Sequence, residues 1–490
     1  MVALPFAEWR PDVSGLNSQF TADVLNVLCS AAGYIPFPQM AEFSDALAAT
    51  PTGGFTATDD DGTKYIFAGT AEKLYLLNNT DLSWTDVSQA DTTYSSTTTE
   101  RWRFAQYGQY VVAVNAADNP QVYELGVDSA FSDLGGSPPK ARFISVCGDF
   151  LFLSGLTDHP NRVQWSALND ITGWTAGTDS SDFQDFAYGE MVMGVTPSTN
   201  PIIIHKHAIT LGTFVPGSDV IFTFQKVTDA RGAAAPYSIT TKGYRTFFAD
   251  AGGFYMIGPD GAEIPIGKEK VDRTVFTTID GATLYDIVGE VDPFYSRVYF
   301  AVRYASTTTA FDRLIVYDWE LERWTQFGGN VGILFPLASG TIGYTLDNLT
   351  DLTGYSLDDL PFSLDSQVWQ GGAPVMAAFN ANDKLCFFAG MASEATITTQ
   401  ESGDTSGKMT LVTSLMPIVD TEEVKISIGG RNRRGESVSW TEEASPSANT
   451  GIVRKKKRAR FLRFKARIPA GTDWTLAQGV DAQTQAAGMR

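Results

Sequence analysis

The residues with the most evident chemical potential lie near the end of the chain. Nine of the fourteen residues from 454 to 467 are basic: Arg454, Lys455, Lys456, Lys457, Arg458, Arg460, Arg463, Lys465 and Arg467. Such a run matches the pattern of a phosphate-binding or nuclear-targeting tract. Its second half alternates, however. Leu462, Phe464, Ala466 and Ile468 fall on one side, and Arg463, Lys465 and Arg467 on the other. Period two is the signature of a half-buried strand with a charged outer face. The face has three available uses: contact with acidic surface on a neighbouring subunit or partner, contact with phosphate, or simple solvation. Acidic surface is the favoured one, because the rest of the chain is so strongly negative.

Other reactive side chains form weaker constellations. His205 and His207 alternate on an apolar segment and so are expected to share a strand face, the geometry of two metal ligands. The remaining histidine, His159, is far away in sequence, and strand-surface or interface roles are preferred. Thr58 to Tyr65 partly resembles the Asp-box turn of sialidase-like propellers, but it occurs once and is read as an Asp-Gly hairpin turn. With 56 Asp and Glu, some carboxylate pair can always be drawn, so glycoside hydrolysis gains no support from their number. Nucleophile elbow, HExxH, paired CxxC, phosphate loop and dinucleotide fingerprint are all missing from the sequence. The expectation is a protein that is not an enzyme and holds no cofactor or metal.

The elements around these residues repeat. From about Thr63 to Phe327 the chain alternates short apolar strands with Gly/Asp turns and often lands on an aromatic, as at Trp84, Phe131, Trp174 and Trp324. A unit of roughly 40–50 residues that cannot bury its own face must stack on copies of itself. The fold expected is all-β: a β-propeller of six to eight blades with an additional C-terminal β-rich domain. Residues 1–50 read as a lead-in, with a short helix or irregular stretch between Asp12 and Ala31 and extended chain at Pro36 and Pro38. Residues 51–402 read as the propeller, in units 51–90, 91–136, 137–180, 181–230, 231–270, 271–330 and 331–402. An acidic insertion at about 341–364 carries Asp347, Asp351, Asp358 and Asp359, and is expected to project toward partners. Residues 403–490 read as the C-terminal domain, ending in a tail or late strand.

Composition sets further bounds. Charged residues make up only 19% of the chain and Gly numbers 45, which favours strands and tight turns. Cys29, Cys147 and Cys386 are odd in number and scattered, as expected of buried free thiols. No segment approaches about 18 continuous apolar residues, and the start lacks the pattern of a secretory leader. The net charge is −20 and unevenly distributed. Residues 431–490 hold 13 Lys and Arg against 5 Asp and Glu, which leaves −28 on the remainder. A body that negative repels polyanions, so stable DNA binding is disfavoured, whereas a surface past which DNA slides is compatible.

The order of phrases is similar to that of the tail hub or nozzle proteins of short-tailed bacteriophages, the group that includes the packaged-DNA stabilisation protein. The phrases concerned are Ala141 to Gly155, Arg162 to Asp170 with Trp174, Pro201 to Gly212, Ala233 to Gly267, and the basic strand. The similarity runs over roughly residues 50–490. It implies a structural virion protein, made in the host cytoplasm and assembled as a homohexameric ring that continues the DNA exit channel. The implied neighbours are a head–tail adaptor and needle, spike or fibre proteins, with genomic DNA passing through unbound. The basic residues and the four insertion aspartates are then interface candidates. The rivals are a receptor- or glycan-binding propeller on a virion surface and a propeller glycoside hydrolase.

Overall fold

In the computed structural model, which describes residues 2–13, 19–97, 99–304, 310–338, 374–403 and 408–488, the repeated phrase becomes a four-stranded antiparallel meander. Five such sheets follow one another at 53–86, 103–133, 141–185, 192–228 and 235–265. The turns explain the pattern. Tyr107 pairs with Tyr110 around Gly108, and Cys147 with Phe150 around Gly148, both glycines with positive φ (57° and 63°) that a side chain would resist.

Stacking then follows from period two. In Phe150–Leu156 every residue is buried. Leu151 and Leu153 enter the core shared with the preceding sheet, and Phe152 enters the core shared with the next. Each sheet is therefore a blade with two apolar faces, and each junction among these five has its own hydrophobic cluster.

The sixth and seventh blades are joined. Val288–Val291, Arg297–Val302 and Phe311–Asp318 build the sixth, and the 16-residue strand Arg323–Ala338 runs from its edge into the seventh. Tyr317 opposite Trp324 and Asp318 opposite Arg323 form a hairpin there. Pro374–Asn380 and Lys384–Ala392 continue the seventh blade, and its outer strand is Pro38–Ala46 from the start of the chain. The inner strand of this blade lies beside Gly53–Thr58 of the first, so the ring closes with seven blades among the described residues.

The two ends of the chain differ from expectation. Residues 1–50 are not a lead-in apart from the domains. Val2–Pro5, Val27–Ser30 and Gly33–Pro36 join Thr410–Val419, Lys457–Ala459 and Ala477–Ala486 in one sheet. Asp23–Leu25 joins Ala395–Thr398, Phe461–Ile468, Lys425–Arg431, Ser439–Trp440 and Ser402–Gly403 in a second. The sheets share a core of Val24, Val27, Leu415, Ile426, Ile428, Phe464 and Val480. The described part of the stretch from Asp12 to Ala31 holds strands rather than a helix, because Val24, Val27 and Cys29 have that core to enter. The late strand Ala477–Ala486 is central in its sheet. The propeller ends before Ala395, and Asp182–Asp185 belongs to the third blade because it pairs with Arg162–Trp165. Asp347, Asp351, Asp358 and Asp359 lie outside the described residues.

The sandwich and the propeller are welded together. Trp324 is fully buried among Phe254, Phe300 and Tyr317, and its indole N–H donates to the Ile266 carbonyl at 3.0 Å. Its own carbonyl accepts from Cys29 Sγ at 3.5 Å, and Thr325 Oγ1 donates to the Val27 carbonyl at 2.6 Å. One apolar cluster runs without a break from blades five and six into the sandwich. Trp324→Ala is expected to cost about 3–5 kcal/mol. Because the core is continuous, urea unfolding of the variant, followed by near-UV circular dichroism and by tryptophan fluorescence, should remain a single shifted transition.

Candidate functional site

The basic strand Phe461–Ile468 has the alternation expected of it: Leu462, Phe464, Ala466 and Ile468 are buried and the residues between them are half-buried. Its place in the sheet was not foreseen. It is an inner strand, paired with Ala395–Thr398 on one side and Lys425–Arg431 on the other. Those neighbours bring acidic and aromatic partners from the same chain.

Arg467 contacts Glu394 at 2.9 Å and Glu443 at 2.6 Å. Its hydrogen bonds, foremost, hold the Glu443 carboxyl below the usual range. Arg463 lies 3.3 Å from Glu401, whose carboxylate is gripped bidentately by Arg431 at 2.7 and 2.8 Å. Lys465 sits 4.5 Å from the centre of the Trp440 ring. Gly429 makes that contact possible, since a Cβ there would come within 2.9 Å of the indole. Glu394, Glu401, Arg431, Trp440 and Glu443 carried no signal in the sequence. They reach the basic strand only through strand register.

The first half of the basic run behaves differently. Lys457–Ala459 is the edge strand of its sheet, paired only with Thr410–Val419. Arg454, Lys456 and Arg458 are exposed, and Lys455, Lys457 and Arg460 half-buried. Lys457 donates to Ser439 Oγ at 2.9 Å and Arg458 to the Ala487 carbonyl at 2.7 Å. Among the described residues none of these six forms an ion pair with a carboxylate. The run thus divides into an inner strand largely neutralised by its own chain and an edge with uncompensated charge.

The remaining constellations resolve simply. His205 and His207 do not share a face, because the strand Ile202–His205 ends at the first of them. His205 is fully buried with Nε2 3.0 Å from Thr210 Oγ1, and burial pushes its pKa down to about 4, so it is neutral. His207 lies in the following bend, 3.5 Å from Glu190. The described residues contain no group of three or more potential metal ligands. Asp59 Oδ1 accepts from the Asp61 and Thr63 amides at 3.1 and 2.8 Å, the self-satisfied hairpin turn expected at Thr58 to Tyr65. All three cysteines are free and buried.

The propeller axis is occupied by side chains. Tyr237 meets Phe143 and Tyr285 edge-on, accepts from the Arg101 amide at 2.9 Å and donates to the Thr99 carbonyl at 3.1 Å. The Arg101 guanidinium lies between the rings of Tyr237 and Phe311.

No family model matches this chain, and no curated protein matches it. Among solved structures it is similar to the extracellular domain of the putative one component system BT4673 from B. thetaiotaomicron. That likeness has a TM-score of 0.42 and 10% identity, and covers 80% of this chain and 43% of that one. A putative hybrid two component system BT4673 extracellular domain gives a TM-score of 0.38 at 10% identity, over 79% and 44% of the two chains. The computationally designed Ika8 protein gives 0.34 at 10% identity, over 71% and 99%. The chain therefore spans less than half the length of the two BT4673 chains. The propeller assignment rests on the strand pairing above, and these likenesses carry no inference about what the chain binds.

Burial separates the ion pairs. Removing Arg431 leaves the buried Glu401 carboxylate short of its main partner, so Arg431→Met should cost about 3 kcal/mol. Arg467→Met strips partners from two partly exposed glutamates and should cost under about 1 kcal/mol. Urea midpoints of the two variants, measured at equal salt, check this order.

Proposed function

We propose that this chain is a structural subunit of the tail hub or nozzle of a short-tailed phage, assembled as a ring whose channel lies between copies. The observation that carries this reading is the separation of charge within one welded body. An exposed basic edge at Arg454, Lys456 and Arg458 projects from the sandwich, while the rest of the chain is strongly acidic. An edge of one sign and a body of the other favour a head-to-tail contact, in which unlike patches meet and repetition closes a ring. The sequence resemblance points to the same assembly. On this reading the channel is bounded by outer surfaces of several copies. An acidic wall would give DNA few cationic footholds, so passage would not require exchanging counterions at each step. The role needs binding and shape, and no turnover.

A bland account of the same edge is that lysine and arginine keep an open strand from pairing with other sheets. Assembly distinguishes the two. Negative-stain microscopy and mass photometry of the purified chain, alone and with its co-expressed neighbours, are expected to show six-fold rings at low salt. Arg454→Glu with Lys456→Glu and Arg458→Glu should dissolve them while leaving the monomer folded. A protein that stays monomeric in every preparation, or rings indifferent to the triple reversal, removes this reading.

A second reading has an observation of its own. A cleft of about 380 Å3 between the sixth and seventh blades and the sandwich is lined by Phe37, Tyr299 and Phe388, with Phe294 and Tyr295 at its rim, 55% and 45% exposed. The Asp292 carboxylate holds that rim by accepting from the amides of Phe294 and Tyr295 at 2.9 and 2.8 Å. Exposed aromatic rings beside a fixed carboxylate suit stacking against a sugar, as a receptor- or glycan-binding propeller would require. On that reading a glycan array gives discrete hits that Tyr295→Ala abolishes. An array without hits leaves the cleft no role in recognition.

A further inference from the structure

The propeller axis holds two adjoining cavities. One, of about 250 Å3, is lined by Gly53, Phe55, Arg101, Arg103, Tyr237 and Glu290. The other, of about 430 Å3, extends past Phe104, Ser145 and Met193 to the exposed Pro197. Phe55, Arg103, Phe104 and Glu290 line both.

The charge balance here is the reverse of the molecule's. Arg101 and Arg103 enter the axis two residues apart, from the segment that opens the second blade. Burial lowers both guanidinium pKa values, that of Arg101 to about 10, yet both remain charged at neutral pH. Arg103 rests 5.0 Å from the centre of the Tyr237 ring and forms no ion pair or hydrogen bond with the described residues. The one carboxylate among the described residues that shares its cavities, Glu290, attracts it electrostatically but forms no ion pair with it. Glu290 Oε1 is engaged by Thr240 Oγ1 at 3.2 Å and by the Val291 amide at 3.1 Å, and burial raises its pKa to about 7. A guanidinium taken out of water with its donors unpaired is expensive, and those planar donors fit a carboxylate two at a time. The walls beside it are flat and apolar. Phe55 and Phe104, from adjacent blades, stack 5.8 Å apart with planes 10° from parallel.

We infer that the axial cavity is a binding site for a small carboxylate with a flat apolar body, its carboxylate held by Arg103 and its body lying along Phe55 and Phe104. The volume suits a single-ring molecule, and the larger cavity supplies a way in past Pro197. The inference does not depend on ring assembly, because every lining residue belongs to one chain.

Benzoate serves as the probe and benzamide as its uncharged counterpart of the same shape. Isothermal titration and thermal unfolding of the full chain are expected to show saturable benzoate binding with a rise in Tm, and no comparable effect of benzamide. Arg103→Gln should weaken benzoate by at least about tenfold, the loss of a hydrogen bond to a charged group, with Arg103→Lys retaining part of it. Absence of benzoate binding at millimolar concentration, or equal responses to benzoate and benzamide, overturns the inference without recourse to any variant. Undiminished binding by a folded Arg103→Gln protein overturns the assignment of that residue.

Discussion

Closure of the ring by a strand from the far end of the chain is the constraint on which the rest depends. Lys384–Ala392 would otherwise be an open edge on the seventh blade, with a row of backbone groups facing water. Pro38–Ala46 covers it, and Glu42 fastens the pair by accepting from Asn380 and Lys384, each at 2.8 Å. The residues just before this strand belong to the sandwich, so the clasp also fixes where the sandwich can sit. Phe37, at the crossing, stacks on Phe327 at 4.4 Å and meets Phe388 edge-on. Without the clasp the first and seventh blades lose their shared core of Phe43, Ile66, Leu77 and Phe387, and the sandwich loses its tether.

Much of the propeller was legible because a blade is a local object. Apolar runs such as Phe150–Leu156 and turns such as Gly148-Asp149 lie within a few residues of the strands they join, so spacing and period are enough to find them. What could not be read was pairing across long separations. Nothing in Asp23–Leu25 announces Ala395–Thr398 as its partner, and nothing in Val2–Pro5 announces Ala477–Ala486. The same holds at the basic strand. Its inward and outward faces follow from alternation alone, but the glutamates that neutralise Arg463 and Arg467 arrive through register with strands far away in sequence. The axial arginines were hidden for a related reason. A basic residue at the start of an inner strand looks like surface until seven inner strands are placed around it.

Charge is sorted by position in a way that composition conceals. The outer body is acidic, the sandwich edge basic, and the axis basic again, with its arginines set against the Tyr237 ring. Low dielectric makes the buried pair of arginines matter more than their number, whereas the exposed edge is screened within about 10 Å at ordinary salt. The two positive regions therefore answer to different partners. One acts at the surface and over some distance, and the other only on a molecule that has entered.

The insertion of the whole propeller between the two halves of the sandwich carries a consequence for synthesis. The ribosome releases residues 2–36 before the propeller, yet their partners begin only at residue 395, so these strands must wait through the making of seven blades. At translation rates of roughly 5–20 residues per second, that interval lasts on the order of tens of seconds. During it, unmatched strands and a half-built apolar core stand open to other nascent chains. The clasp waits almost as long, since its partner Lys384–Ala392 is the third strand of the last blade. A polypeptide organised in this way matures from the middle outward, and the two halves of the sandwich meet last.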